Sequence, residues 1–390
     1  MTGLLKDVMD DRADSIEAPD LDVAAMVRDG ERHLVRRRRT LAGGLVAASL
    51  VVAALALPGL RPGGDRDQDT AAPVHSYDIA YAVGSTIHDG PRTVETDVRI
   101  SALVQGVSGY VVADRQGRVH TMVDGETTLV GRLAETDRGR IMSDDDVVAW
   151  VDVADGGTLS VLDLATGERA DMSVDAWPGE PVPMNPGRLG GGAGAHIAAV
   201  DGRIVYVADA RGVMAWDALD GDEPVLLAAP DGAAEVEVIQ VQDGQILHVV
   251  TSFEPQESDG STTMVEVEDL RIGPDLQDGR SLPGTRGSLS PDGRLVALTD
   301  RQSRPGSPSY DTTSVGDVAG DTWTPVTPPR YDSVIGYRWL DADTFAAWAG
   351  TYTAEYARED LLSCEASTGS CTVAVSPLPD GAVPATGWMR

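Results

Sequence analysis

The sequence predicts an all-β fold, a β-propeller of four-stranded blades, preceded by one transmembrane α-helix and a short cytoplasmic helical segment. Three observations predict it. Strand-like phrases close on Gly125, Gly167, Gly221, Gly273, Gly320 and Gly369, which are 42, 54, 52, 47 and 49 residues apart. Residues 41–60, LAGGLVAASLVVAALALPGL, form an uncharged run, and about 20 apolar residues suffice to cross a hydrocarbon core roughly 30 Å thick. Arg36, Arg37, Arg38 and Arg39 lie just before that run.

In residues 1–40, Leu5, Val8, Met9, Ala13 and Ile16 fall near helical spacing, with Asp7, Asp10, Asp11 and Asp14 between them. Pro19 interrupts. Asp20 or Asp22 then caps a second short helix through Val23, Met26 and Val27, ending near Gly30. Neither helix is long enough to be stable alone in water, so each docks on a partner or frays. The segment resembles the short N-terminal tails of actinobacterial membrane proteins whose cytoplasmic part meets a sigma factor. It lacks the His/Cys signature of zinc-dependent anti-sigma domains, holding only His33 and no cysteine. Regulation of a cytoplasmic partner through residues 1–40 is one expectation; a passive juxtamembrane tail is the other.

Basic residues flanking a span stay in the cytoplasm. Arg28, Arg32 and Arg36 to Arg39 lie upstream, against Arg61 and Arg66 downstream, the latter among Asp65, Asp67 and Asp69. The reading is a single-pass cell-membrane protein, N-terminus cytoplasmic and C-terminal domain extracytoplasmic. Ala54-Leu55-Ala56 has the small-x-small pattern of a signal-peptidase site, but the preceding 40 residues far exceed an ordinary basic leader region. A retained anchor is therefore expected. A lipid-modified cysteine is not, because Cys364 and Cys371 are far from the segment. Residues 61–76 form a polar linker containing Pro62, Gly63 and Gly64.

The extracytoplasmic domain spans residues 77–390. Residues 110–125 read YVVADRQGRVHTMVDG, and related phrases return at 147–167, 204–221, 246–273, 287–320 and 344–369. Short β-rich runs repeating every 40–50 residues or so read as propeller blades; β-branched runs and dense Gly and Pro exclude helical solenoids. A polar loop is expected at Glu254–Ser261. Six closing phrases give six blades over residues 97–378, with seven as the alternative. Tyr77–Glu95 reads as a further hairpin, either completing ring closure with the C-terminal strands or belonging to a seventh blade. The tail after Pro377 is expected over the propeller or at its edge. Ser288-Leu289-Ser290-Pro291-Asp292-Gly293-Arg294 resembles the repeat motif of TolB-type and WD-repeat-like propellers, as does LDLATG at 162–167. The other blades share the pattern rather than the motif, and no GH…WD pair is present.

The charge is lopsided. Residues 1–40 hold nine acids and eight bases, whereas the part after Leu60 carries a net charge of about −30. Such a field repels nucleic acid, so no nucleic-acid partner is expected; it suits cations or basic partners, or serves as a solvated surface. One lysine against 30 arginines, and Asn185 as the one asparagine, resemble the usage of a high-GC bacterium of actinobacterial type.

Cys364 and Cys371 flank a Ser-Thr-Gly turn, and an even pair outside the membrane invites a disulfide. The six histidines, His33, His75, His88, His120, His196 and His248, are scattered without ligand spacing. Ser143-Asp144-Asp145-Asp146 lacks the pattern of a calcium loop and reads as a solvated turn. Pro186–His196, PGRLGGGAGAH, has no lysine for a phosphate loop and reads as an inter-blade loop. Trp150, Trp216, Trp339 and Trp348 offer sugar-stacking faces, with packing between blades as the plainer reading. No G-x-S-x-G elbow occurs. No catalytic residue, cofactor or metal site is assigned. The expectation is a non-catalytic binding or protein-interaction module for an extracytoplasmic protein or glycan. A propeller enzyme acting on a glycan or lactone is the alternative, and it requires carboxylates or histidines converging at the central channel.

Overall fold

The structure, a computed structural model, describes residues 75–133, 140–152, 157–173, 196–209, 212–228, 234–258, 261–277, 279–302, 310–326, 328, 330–352 and 357–387. Residues 1–40, expected to be cytoplasmic, the expected span 41–60, Arg36 to Arg39, most of the expected linker and the glycine-rich 186–195 stretch lie outside them. Among the described residues no helix is long and apolar enough to cross a membrane.

The described strands form seven antiparallel four-stranded sheets that follow one another around a ring. Blade 1 contains β1 (Ala80–Val83), β2 (Thr86–Asp89) and β3 (Arg92–Glu95). Blade 2 is β4 (Ile100–Gln105), β5 (Gly109–Asp114), β6 (Arg118–Val123) and β7 (Glu126–Arg132). Blade 3 is β8 (Ile141–Asp144), β9 (Val147–Asp152), β10 (Thr158–Asp163) and β11 (Arg169–Ser173). Blade 4 is β12 (His196–Asp201), β13 (Ile204–Asp209), β14 (Gly212–Asp217) and β15 (Val225–Ala228). Blade 5 is β16 (Ala234–Gln242), β17 (Gln245–Ser258), β18 (Ser261–Gly273) and β19 (Arg280–Ser281). Blade 6 is β20 (Arg286–Leu289), β21 (Leu295–Gln302), β22 (Tyr310–Asp317) and β23 (Trp323–Val326). Blade 7 is β24 (Ser333–Trp339), β25 (Thr344–Tyr352), β26 (Ala357–Glu365) and β27 (Ser370–Val375).

The all-β propeller stands, and its blade count is the alternative seven rather than six. The seventh is blade 1, whose innermost strand comes from the other end of the chain. β28 (Val383–Pro384) pairs antiparallel with β1 through Tyr81–Pro384 and Ala82–Val383. The Tyr77–Glu95 hairpin thus both closes the ring and founds a blade. The C-terminal tail is not a cover: it supplies the closing strand. Blade 5 corrects a second expectation. No polar loop interrupts 254–261; β17 and β18 pair continuously down to Ser258–Ser261. The Asp259-Gly260 dipeptide in the sequence is a strong hairpin signal, and β-branched Thr262, Thr263, Val265 and Val267 favour the strand beyond it.

Inner strands such as β4, β9 and β12 are apolar and buried on both faces, because each sheet packs against a neighbour on either side, so the core is divided into wedges between blades. Among the described residues seven buried clusters occur, one at each interface. Val147, Val161, Val207 and Trp216 fill the wedge of blades 3 and 4; Val104, Val119, Val148 and Trp150 fill that of blades 2 and 3. The wedge between blades 7 and 1 differs. It holds four buried residues, Ile79, Leu340, Ala346 and Leu361, where the others hold eight to twelve. Tyr77, Tyr81, Tyr337 and Trp348 pack around it, half-buried. The seam that joins the two ends of the chain is therefore the most thinly filled.

Cys364 and Cys371 are direct cross-strand partners on β26 and β27, with Cα atoms 4.1 Å apart, and they form a disulfide. Cys364 is fully buried. The bond closes a short loop, for which chain-entropy arguments give about 2 kcal/mol. Reduction, or Cys364→Ser with Cys371→Ser, is expected to lower the stability by about that amount in a urea titration.

Candidate functional site

In the blades built from consecutive strands, the turn from first to second strand and the turn from third to fourth lie at the same end. All six closing glycines of the sequence repeat fall at the third-to-fourth turn or its border, so the repeat marks this face of the ring. Asp124, Asp145, Asp146, Asp220, Asp243 and Asp341 belong to it. Arg203, Arg280 and Arg294 at the same face are each paired, with Asp220 at 2.7 Å, Asp321 at 2.7 Å and Asp343 at 2.9 Å. The face is an acidic one, and those three cations are neutralised by their neighbours.

Near the central channel, the carboxylates of Asp146, Asp144 and Asp201 are built into the ring. Each takes N–H groups from the turn of a neighbouring blade. Asp146 of blade 3 accepts from Ser108 N at 2.7 Å and Ser108 Oγ at 2.8 Å in blade 2. Asp144 accepts from Gly202 N of blade 4 at 2.7 Å and from Gln242 Nε2 of blade 5 at 3.3 Å. Asp201 of blade 4 accepts from Asp243 N and Gly244 N of blade 5 at 3.2 and 3.4 Å. The solvated turn expected at Ser143–Asp146 is thus corrected in part. Asp145 is exposed, but its neighbours latch blades together, because a carboxylate at a strand end reaches the bare N–H groups of the next turn.

Burial pushes the Asp144 carboxyl up to about 6, against the lowering effect of its Gly202 and Gln242 hydrogen bonds, and the nearby Asp145 and Asp201 charges add to the rise. A carboxyl raised in the folded state stabilises fully below its unfolded value of about 4, and that contribution is lost as pH rises through about 6. Asp144→Asn is expected to gain on the order of 1 kcal/mol over wild type at pH 8 and nothing at pH 4, after discounting for solvent screening. Paired denaturant titrations at the two pH values measure it.

Beside this latch lie Tyr77 and Arg338. Tyr77 donates its hydroxyl to Asp145 Oδ1 at 2.9 Å and its backbone N–H to Leu340 O at 2.7 Å. The Arg338 guanidinium lies 4.5 Å over the Tyr77 ring and donates to Gln105 O at 2.8 Å. Burial lowers the pKa of Arg338. Gln105 gives its Nε2 to Asp89 at 2.9 Å, while Gln105 Oε1 and Tyr337 OH are buried without a partner among the described residues.

Outward along the same seam a cleft of about 530 Å3 opens between blades 1 and 7. Tyr77, Asp78, Tyr81 and His88 line one side; Asp341, Thr344, Ser363 and Val375 line the other. The rings of Tyr81 and His88, cross-strand partners on β1 and β2, stack at 4.8 Å and 13°. Gly90 passes beside Asp78 so closely that a Cβ would strike the carboxylate at 2.5 Å.

The remaining sequence candidates are dispersed. His248 is fully buried, and burial lowers its pKa; His120 lies in β6, His88 in the cleft and His196 at the start of β12. Among the described residues no group of three or more His, Cys, Asp or Glu is placed to hold a metal ion. Trp150, Trp216 and Trp339 are buried between blades, their indoles donating to Asp152, Asp222 O and Ser288 O. Packing, not sugar stacking, is what these three do. Sequence reasoning singles out neither the seam cleft nor the inter-blade latches. The available signal is the aromatic content of Tyr77–Glu95 together with its lack of a fourth strand.

No family model matches the chain, and no curated protein matches it. Solved structures do. A TolB-like protein of Agrobacterium tumefaciens is 11% identical over 78% of this chain and 89% of its own, with a TM-score of 0.36. A polysaccharide lyase of family PL25, an ulvan lyase, is 10% identical over 77% of this chain and 86% of its own, at 0.40. A chain of a mitotic checkpoint complex is 12% identical over 85% and 90%, also at 0.40. At such identities and scores, nothing these proteins do is carried over to this chain.

Proposed function

We propose that this chain is a membrane-held recognition protein. Residues 41–60 form its single span, residues 1–40 stay in the cytoplasm, and the propeller outside binds a protein partner through its acidic turn face. The observation that carries the reading is that face itself. Asp144, Asp146 and Asp201 are fixed by backbone N–H groups of other blades, and Arg203, Arg280 and Arg294 are already paired, which leaves a surface dominated by carboxylates on a rigid frame, with Arg92 exposed at the blade 1 turn. A rigid scaffold presenting turn residues is the usual arrangement for binding. Single cysteines at Ser15 and Ser85, in a background with Cys364 and Cys371 replaced, test the topology. A membrane-impermeant maleimide is expected to label Ser85→Cys in intact cells and Ser15→Cys after lysis alone; labelling of both in intact cells contradicts it.

A second reading has one specific observation in its favour. Carboxylates do converge near the channel, and Asp144, raised to about 6, has the protonation behaviour of a general acid. Against that role, both its oxygens already accept protein hydrogen bonds. A glycan- or lactone-cleaving propeller requires turnover that Asp144→Asn abolishes.

A further inference from the structure

We propose that the cleft at the ring seam, between blades 1 and 7, takes the lysine or arginine side chain of a peptide segment on a protein partner. This rests on the recognition reading above and gives it a place and a chemistry.

The cleft exists because the ring is closed by the two ends of the chain. β28 is two residues long, and the wedge behind it holds four buried residues, so the outer part of the seam is left open. Its volume of about 530 Å3 is within the roughly 300–1,000 Å3 of small-ligand sites. That accommodates a long side chain with some of its own backbone.

The lining selects for a cation with an apolar stem. Ile79, Leu340, Ala374 and Val375 supply apolar wall for methylene groups. Tyr81, stacked on His88, supplies an aromatic surface, which attracts guanidinium and ammonium groups. Asp78 and Asp341 supply negative charge from opposite walls, and among the described residues no lysine or arginine lines the cleft. Asp78 has no hydrogen bond or ion pair with any described residue, unlike the turn-face aspartates that latch the blades. Asp341 uses Oδ1 to accept from Asp343 N and Thr344 N within its own turn, so its position is fixed. A neutral sugar finds hydroxyls here too, at Thr344, Ser363 and Ser376, but it gains nothing from two carboxylates on facing walls.

The test is fluorescence anisotropy of an end-labelled tetra-arginine peptide with the full-length protein in nanodiscs. Saturable one-to-one binding is expected. Asp78→Asn with Asp341→Asn is expected to weaken it at least tenfold; the amide introduced by Asp341→Asn keeps an oxygen for the Asp343 and Thr344 N–H groups. Ala374→Arg, at an exposed position, places a cation in the cleft and is expected to abolish binding without touching either aspartate. Asp97→Asn with Glu268→Gln removes two exposed charges elsewhere and is expected to change affinity less than twofold. Equal weakening by both double variants, or undiminished binding in the cleft variants, overturns the seam cleft while leaving recognition elsewhere on the propeller standing. Absence of saturable peptide binding, or tighter binding of a neutral disaccharide that ignores Asp78→Asn, also overturns it.

Discussion

Deleting residues 382–390 is expected to destabilise the propeller by at least about 5 kcal/mol and to abolish a single cooperative unfolding transition. The deletion removes Ala382, Val383 and Ala385, all buried, and leaves β1 with an unpaired inner edge. It also removes the hydrogen bonds Ala385 N to Ala80 O, Gly387 N to Leu103 O and Ile141 N to Gly387 O, the last two tying blade 1's closing segment to blades 2 and 3. Each bond contributes roughly 0.5–1.5 kcal/mol, and an unpaired buried partner costs more. The sharper version is Gly387→Val. Gly387 has φ of 73°, and a Cβ there would fall far inside contact distance of Ile141 O. That single change is expected to reproduce much of the loss. Thermal unfolding followed by calorimetry measures both; a melt within two degrees of wild type for the deletion contradicts closure by β28.

Trp150→Ala is expected to cost about 4 kcal/mol, the usual range for emptying a buried tryptophan site being roughly 3–5. Trp150 is fully buried in the wedge of blades 2 and 3, with its Nε1 directed at Asp152 Oδ2 and the Arg169 guanidinium 5.2 Å from its ring. Truncation leaves a cavity and strips Asp152 of that donor. Gly131 is the complementary probe: a Cβ there would sit 2.4 Å from Asp152 Oδ2 and 2.6 Å from Trp150 Nε1, so Gly131→Ala crowds both the indole N–H and its acceptor. Urea unfolding is expected to show both variants destabilised, Trp150→Ala the more.

The same particulars explain what is legible in the sequence. Phrases of the repeat such as 110–125 coincide with the hairpin of a blade's second and third strands: β5 with β6, β9 with β10, β13 with β14. These strands combine β-branched runs with tight glycine turns, so local pattern reveals them. Outer strands such as β7 and β15 carry exposed Leu129, Val225 and Leu226 and follow no clean alternation. β28 is two residues with a proline and has no strand signature of its own. Its identity as a strand comes from β1, about 300 residues earlier in the chain, and local reading cannot supply a partner that distant. Local pattern therefore counts six blades and leaves the seventh as an extra hairpin. The disulfide is legible because its two cysteines share one hairpin. The latches of Asp144, Asp146 and Asp201 are not, because their partners lie in other blades.

Recognition through the turn face is tested most directly by photo-crosslinking in intact cells. A benzophenone amino acid replaces Glu223, exposed between β14 and β15 on that face, or Arg115, exposed between β5 and β6 at the opposite end of the ring. The account expects a discrete crosslinked partner from position 223, lost on adding excess tetra-arginine peptide, and none from position 115. A partner captured from position 115 alone, or no partner from either, contradicts it.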